Sequence, residues 1–215
     1  MIRILLLDDH AIVRSGYRRL IDAEPDLSVV AEADDADQAY AAVRDANPDV
    51  AVVDVSLKGA SGIEAIRRMM SRQPSLKTLV MSMHDGANFV TQAFRAGATG
   101  YLTKCSEPQQ MLDAVRSVAA GRRVMSADVA QALARASLES KDLTSQLTTR
   151  EFEVLRLAVS GESTATIAER MHLSQKTVIN YLSMVRQKLE AENDFSLLHL
   201  AARHGLVTLD NQIAE

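Results

Sequence analysis

Cysteine is almost absent from this chain: Cys105 stands alone. No intrachain disulfide can form, and a cysteine metal cluster is excluded. A reducing compartment fits such usage. Surplus positive charge is missing too. The 215 residues carry a formal net charge of −4 at pH 7, so contact with nucleic acid has to come from a local patch. Long apolar runs are also missing. Ile4-Leu5-Leu6-Leu7 is cut off by Asp8 and Asp9, too short for a signal-peptide core or a membrane span. The expectation is a cytoplasmic protein with no membrane partner. The length suits one large domain or two small ones.

What is present begins with Val50-Ala51-Val52-Val53-Asp54. Four small or β-branched apolar residues in a row read as a strand buried on both faces, as in the middle of a parallel sheet. Asp54 stands where that strand ends, and ligands of open α/β sheets bind just beyond the carboxyl ends of strands. A carboxylate that merely caps the next loop is the plainer alternative. Further apolar runs at Ile4–Leu7, Leu27–Ala31, Leu79–Met81 and Gly100–Thr103 alternate with helical patterns ending at Ala120 or before. Five strands alternating with five helices predict a doubly wound α/β domain over 1–120, with strand order 2-1-3-4-5. That order brings Asp8, Asp9, Asp54, Ser82 and Lys104 to one crevice. Three crowded carboxylates repel one another, and Mg²⁺, a hard cation with oxygen ligands, relieves that repulsion. A lysine and a hydroxyl beside them suit a phosphoryl group, with an ionised carboxylate as its acceptor.

The segments Leu7-Asp8-Asp9-His10, Val53-Asp54, Met81-Ser82-Met83-His84-Asp85 and Gly100-Tyr101-Leu102-Thr103-Lys104 resemble the receiver domain of bacterial two-component response regulators. The resemblance implies that Asp54 is the phosphoacceptor. It implies that Asp9, Asp54 and the Ser56 carbonyl hold Mg²⁺ with help from Asp8. Ser82 and Lys104 would bind the phosphoryl oxygens, and Tyr101 would be the aromatic switch. Lys58 stands where the family usually has proline. Cys105 stands where an acid is common, and is read as a packed or half-exposed thiol. His10 and His84 are read as loop-lining residues, because the carboxylates already suit the hard cation.

From Gly121 the pattern changes. A small amphipathic helix carries Val129, Ala130, Leu133 and Ala134, and Ser137 to Ser145 is polar without period. Residues 121–145 are read as a linker with a short helix. Four helices follow over 146–215. Thr148 and Glu151 have capping-box spacing, and two short helices joined at His172-Leu173 form a helix-turn-helix. In the helix from Ser174 to Leu189, Val178, Leu182, Val185 and Leu189 make a buried face. Lys176, Ile179, Asn180, Ser183, Arg186 and Gln187 lie opposite. Such a face can reach base edges and phosphates, although most polar helix faces are simply wet.

Leu147 to Leu155, Ile167-Ala168, Leu173 to Val178 and Lys188-Leu189 resemble the LuxR-type helix-turn-helix, and the whole chain resembles the NarL/FixJ family of response regulators. The resemblance implies DNA contacts from Lys176, Thr177, Ile179, Asn180, Ser183, Arg186 and Lys188. It implies a sensor histidine kinase as phosphodonor, promoter DNA as target, and a homodimer on phosphorylation. RNA polymerase is one further candidate partner. Helix 196–204, with Leu197, Leu198, Leu200 and Ala201, is the candidate dimer surface. Glu190 replaces a common glycine, and residues 146–215 hold seven Lys or Arg against nine Asp or Glu, so the expected DNA binding is sensitive to salt. Two rival readings fit the sequence less well. An aspartyl-nucleophile phosphatase would place its acids as Asp-x-Asp after the first strand, and here they are adjacent. A regulator that is never phosphorylated would not need the complete set of acids, serine and lysine.

Overall fold

The computed structural model describes residues 1–57, 61–138, 146–204 and 206–207. Lys58, Gly59, the polar stretch 139–145 and Gly205 lie outside the described residues. The chain divides into two compact units, Met1–Leu138 and Glu139–Glu215.

The first unit alternates strand and helix: β1 (Ile2–Leu7), α1 (Ala11–Asp22), β2 (Leu27–Ala33), α2 (Ala36–Ala46), β3 (Val50–Val53), α3 (Gly62–Arg72), β4 (Lys77–Ser82), α4 (Ala87–Arg95), β5 (Gly100–Thr103), α5 (Pro108–Ala119), β6 (Val124–Met125) and α6 (Ala127–Leu138). The sheet is parallel, in order β2-β1-β3-β4-β5-β6. Its apolar runs are buried on both faces, as their lack of alternation foretells. Ile4, Leu6, Val50, Val52, Leu79, Met81 and Leu102 pack with Ile21 of α1 and Met111, Leu112, Val115 and Val118 of α5. The intervening Leu5, Leu7, Ala51, Val53 and Val80 are equally buried. Helix starts follow local chemistry. Asp35 caps α2 through the Asp37 and Gln38 amides, Ser61 caps α3, and Pro108 opens α5 after Glu107.

The order 2-1-3-4-5 holds, but the sheet has a sixth strand where a linker was expected. Val124 and Met125 pair with Gly100 and Tyr101. The Ser126 amide donates to the Tyr101 carbonyl at 3.2 Å, and the Thr103 hydroxyl donates to Asp128 of α6 at 2.8 Å. Val129 is fully buried. The physical reason is the unsatisfied edge of β5, which takes up two residues of backbone and positions α6 directly after them.

The second unit holds α7 (Thr149–Val159), α8 (Thr164–Arg170), α9 (Gln175–Lys188) and α10 (Asp194–Arg203). Thr148 and Glu151 form the foreseen capping box at the start of α7. Val154, Leu157, Ile167, Ala168 and Val178 make the core, with Met171, Leu173, Tyr181 and Leu182 against it. His172, in the turn between α8 and α9, has φ of 52°. Ser174 caps α9 through the Thr177 amide. Asn193 caps α10 through the Ser196 amide, so this helix starts two residues before the expected Ser196.

Candidate phosphoacceptor site and nucleic-acid interface

Parallel register assembles the first site. The Asp54 amide donates to the Leu7 carbonyl at 2.8 Å, and the Lys104 amide donates to the Ser82 carbonyl at 2.8 Å. The backbone ladder therefore sets the ends of β1, β3, β4 and β5 side by side. Gly62, the first residue of α3, completes the frame: a Cβ there would stand 2.1 Å from the Asp54 carbonyl oxygen. Only glycine lets α3 start so close to the Asp54 backbone.

Asp8 and Asp54 are buried at the crevice floor, 3% and 2% exposed. Lys104 Nζ lies 2.7 Å from Asp8 Oδ2 and 2.7 Å from Asp54 Oδ2. Burial works against the Lys104 charge, yet the two carboxylates outweigh it and hold the ammonium above its ordinary value. The Ser56 amide donates to Asp54 Oδ1 at 2.8 Å. Ligand atoms of Asp8, Asp9, His10 and Asp54 all lie within 4.8 Å of one another. Three acids set against one lysine leave the cluster electronegative, and hard oxygen donors at this spacing fit a divalent cation. Receiver domains bind Mg²⁺ through acids of this kind.

Ser82 is fully buried, and its hydroxyl accepts from the His84 amide at 3.0 Å. Tyr101 is fully buried too, and its hydroxyl donates to the His84 carbonyl at 2.6 Å. Burial pushes the Tyr101 phenol up, against the pull of the Ser82 hydroxyl, so it remains a donor. Both side chains thus hold one residue of the β4–α4 loop, His84, whose ring stacks on Phe89 with centroids 4.3 Å apart.

The sheet register brings Asp8, Asp9, Asp54, Ser82 and Lys104 to one edge, and one further side chain reaches the Asp8 backbone. Arg14, on the first turn of α1, donates to the Asp8 carbonyl and pairs with Glu32 at 3.0 Å. No spacing rule links Arg14 to Glu32, which belong to different elements. Cys105 is exposed, beyond the packed or half-exposed thiol expected, because the chain leaves the sheet after Lys104.

On α9, Lys176, Ile179, Asn180 and Ser183 are exposed, with Thr177 and Arg186 half-buried. Ile179 is 52% exposed, a large value for an aliphatic side chain facing water. Lys188 already has a partner within the unit. Its Nζ lies 2.7 Å from Oε2 of Glu151, a side chain only 1% exposed. The half-buried lysine pairs within the unit because the capping-box acid is buried against the end of α9. Arg186 Nη1 stands 3.4 Å from Asp194, itself highly exposed. Lys176 makes no ion pair with any described residue. On α10, Leu197 and Ala201 are buried in the unit's own core and Leu198 and Leu200 are half-buried. The exposed apolar residue is Phe195, at 79%. The helix begins earlier than its apolar period suggested, and so presents Phe195.

An acid crevice at the carboxyl edge of a parallel sheet, followed by a helix-turn-helix, makes a response regulator that acts on DNA. Two family models match the chain. The model described as response regulator receiver domain covers residues 4–116, and the one described as bacterial regulatory proteins, luxR family, covers residues 145–201. The chain belongs to the NarL/FixJ family of two-component response regulators, which are transcription regulators and not enzymes. It is 35% identical over 209 residues to the response regulator UvrY of Escherichia coli K12, covering 96% of each chain. It is 40% identical over 195 residues to the DNA-binding transcriptional activator DevR/DosR of Mycobacterium tuberculosis, covering 89% of this chain and 90% of that one. Among solved structures, it is similar to RcsB of Salmonella enterica serovar Typhimurium bound to promoter P1flhDC with the phosphomimetic BeF3-. There the identity is 25%, the TM-score 0.74, and the coverage 94% of this chain and 98% of that one. No described helix is long and apolar enough to cross a membrane.

Proposed function

We propose that Asp54 takes a phosphoryl group from a partner histidine kinase and that the modified protein binds promoter DNA as a dimer in the cytoplasm. The observation that carries this is the placement of Asp54: buried, 2.7 Å from Lys104 Nζ, and gathered with Asp8 and Asp9. An Asp54 carboxylate oxygen attacks phosphorus, the bond from phosphorus to the donor's imidazole nitrogen breaks, and an acyl phosphate forms. Asp8, Asp9, Asp54 and the Ser56 carbonyl are the residues to hold Mg²⁺, which neutralises phosphoryl oxygens when bound. Lys104 exchanges Asp54 for the new phosphoryl oxygens, and the Ser82 hydroxyl donates to another. Ser82 then gives up the His84 amide that it now accepts, and Tyr101, tied to the same residue, carries the change to the β4–α4 loop.

The second unit supplies the output. Helix α9 enters the major groove with Ile179, Asn180 and Ser183 toward base edges and Lys176, Thr177 and Arg186 toward phosphates. Lys188 serves the Glu151 pair in place of a phosphate. Phe195 and the half-buried Leu198 are the apolar surface left for a second copy. The working division is a receiver over 1–120, a connection over 121–145 and a DNA-binding domain over 146–215. Its first connection residues are anchored on β5. RNA polymerase is a further partner proposed for the DNA-bound form.

Acetyl phosphate with Mg²⁺ should add one phosphate to the intact protein by mass spectrometry and none to Asp54→Asn. Equal labelling of the variant would remove Asp54 from the role.

A further inference from the structure

One basic side chain beside the crevice is neither among its acids nor among its phosphoryl ligands. The Arg14 guanidinium donates from Nη1 to the Asp8 carbonyl and from Nε to Glu32 Oε2 at 3.0 Å. We propose that Arg14 is a positioning residue for phosphoryl transfer to Asp54: it fixes the peptide between Asp8 and Asp9 and thereby sets how tightly the crevice holds Mg²⁺. This rests on the reading of Asp54 as the phosphoacceptor and deepens it.

The first argument is reach. Helical side chains lean toward the N-terminus of their helix, so Arg14, in the first turn of α1, extends back over the loop Asp8-Asp9-His10. The Asp8 carbonyl belongs to the peptide that joins the two acids, and turning that peptide swings Asp9 relative to Asp8. Among the described residues, Arg14 is the donor to this carbonyl. The other ties of Asp8 hold different atoms. Its amide donates to the Ala33 carbonyl at 3.2 Å, and its Oδ1 accepts from the His10 amide at 2.8 Å.

The second argument is anchorage. The Arg14 side chain is only 17% exposed, and its partner Glu32 lies on β2, in register with Leu6 of β1. A guanidinium has several donors in a fixed plane, so one group ties the end of β1 to the neighbouring strand by way of α1. Glu32 is held in turn. Its Oε1 accepts from Arg18, one turn further along α1, and Arg18 Nε lies 3.3 Å from Asp22.

The third argument is charge. A cation beside a metal site repels the incoming ion unless its own charge is met. Here Arg14 and Arg18 face Glu32 and Asp22, so the bridge supplies geometry without net charge. Three roles for Arg14 then differ in sign. A role through charge alone makes Mg²⁺ bind tighter when the guanidinium is removed. A role through packing of its stem leaves Mg²⁺ unchanged when an apolar stem replaces it. A positioning role makes Mg²⁺ bind more weakly, although a positive charge has gone.

The test is calorimetric titration of the full chain with Mg²⁺ in the absence of any phosphodonor. Arg14→Met keeps the stem and loses the donors, and its Mg²⁺ affinity should fall by about tenfold. Arg14→Gln, whose amide falls short of the Asp8 carbonyl, is the second variant and should show the same loss. Arg14→Lys keeps a charged donor and should recover most of the affinity. Arg18→Gln leaves the Asp8 carbonyl bonded and should bind Mg²⁺ as the unmodified protein does. Circular dichroism in chelator checks that each variant folds. With acetyl phosphate as donor, the Mg²⁺ concentration for half-maximal labelling of Asp54 should rise in Arg14→Met by the same factor, while the rate at saturating Mg²⁺ holds. Equal or tighter Mg²⁺ binding in Arg14→Met and Arg14→Gln, or a loss confined to the rate at saturating Mg²⁺, would overturn the role of Arg14 and leave Asp54 in place. Failure of the unmodified protein to bind Mg²⁺ or to accept the phosphate would overturn the reading beneath it.

Discussion

Lys104 and Lys188 each hold an ammonium 2.7 Å from a carboxylate that is almost fully buried. Around Lys104, three acids meet one lysine, and the site keeps an excess of negative charge that a divalent cation can answer. Around Lys188, one acid meets one lysine, and Glu151 also accepts from the Thr148 amide at 2.8 Å. That pair is satisfied and closes on itself. The same contact thus leaves an open charge in one unit and a closed pair in the other, and the number of acids per lysine decides which.

Removing each lysine separates the two cases. Lys104→Ala leaves Asp8 and Asp54 buried without their cation, and should cost about 3–5 kcal/mol of receiver stability in chelator. Saturating Mg²⁺ should return most of that loss, because an ion bound only by the folded state stabilises it by mass action. Denaturant melts with and without Mg²⁺ measure this. An equal loss under both conditions would break the comparison. Lys188→Ala should cost less, about 1.5–3 kcal/mol, since Glu151 keeps its bonds to Thr148. Mg²⁺ should change nothing there.

Acid and base should also divide the pair. Burial alone would raise the Glu151 carboxyl, but Lys188 and Thr148 outweigh it and hold the group below its ordinary 4.5. The folded value lies under the unfolded one, so the contribution is complete above pH 4.5 and is lost as pH falls through the folded value. For Lys104 the folded value lies above the ordinary 10.5, so its contribution is present below pH 10.5 and is lost as pH rises further. Glu151→Gln should flatten the acid limb of stability and leave the alkaline limb unchanged. A smaller effect is expected at α6. Asp128→Ala removes the bond from Thr103 and should cost about 1 kcal/mol, read as faster amide exchange confined to α6. Unchanged exchange would deny that Asp128 anchors this helix.

The receiver was legible in the sequence to an unusual degree because β1, β3, β4 and β5 carry apolar runs closed by a polar residue that the strand order gathers at one edge. Asp54, Ser82 and Lys104 needed only the strand order to be brought together. What stayed hidden depends on contacts between distant elements. Val124-Met125 is a strand only because β5 has a bare edge, and two residues carry no period. The Lys188–Glu151 pair joins residues 37 apart in sequence, so the resemblance that offered Lys188 to DNA carried no sign of it. Glu190 shows the reverse. Its departure from a common glycine was visible in the sequence, and the structure gives it φ of 52°, a left-handed conformation that glycine adopts at lower cost.

The sharpest form of the comparison concerns DNA. Lys176 and Lys188 lie on the same helix with the same charge. Lys176 is exposed, and its charge remains available to displace counterions from phosphate. The charge of Lys188 is already neutralised by Glu151. Lys176→Ala should therefore make the salt dependence of binding shallower by about one unit and weaken specific and scrambled sites alike. Lys188→Ala should leave the slope unchanged and act only through stability. Asn180 is the control for sequence reading, since its amide can bond N6 and N7 of adenine. Asn180→Ala should cost about 1–3 kcal/mol at one base position without altering the slope. Titrations on a bound promoter site and its scrambled counterpart at several salt concentrations separate the three. If Lys188→Ala changes the slope as much as Lys176→Ala does, the Glu151 pair opens on DNA, and Lys188 belongs among the phosphate contacts after all.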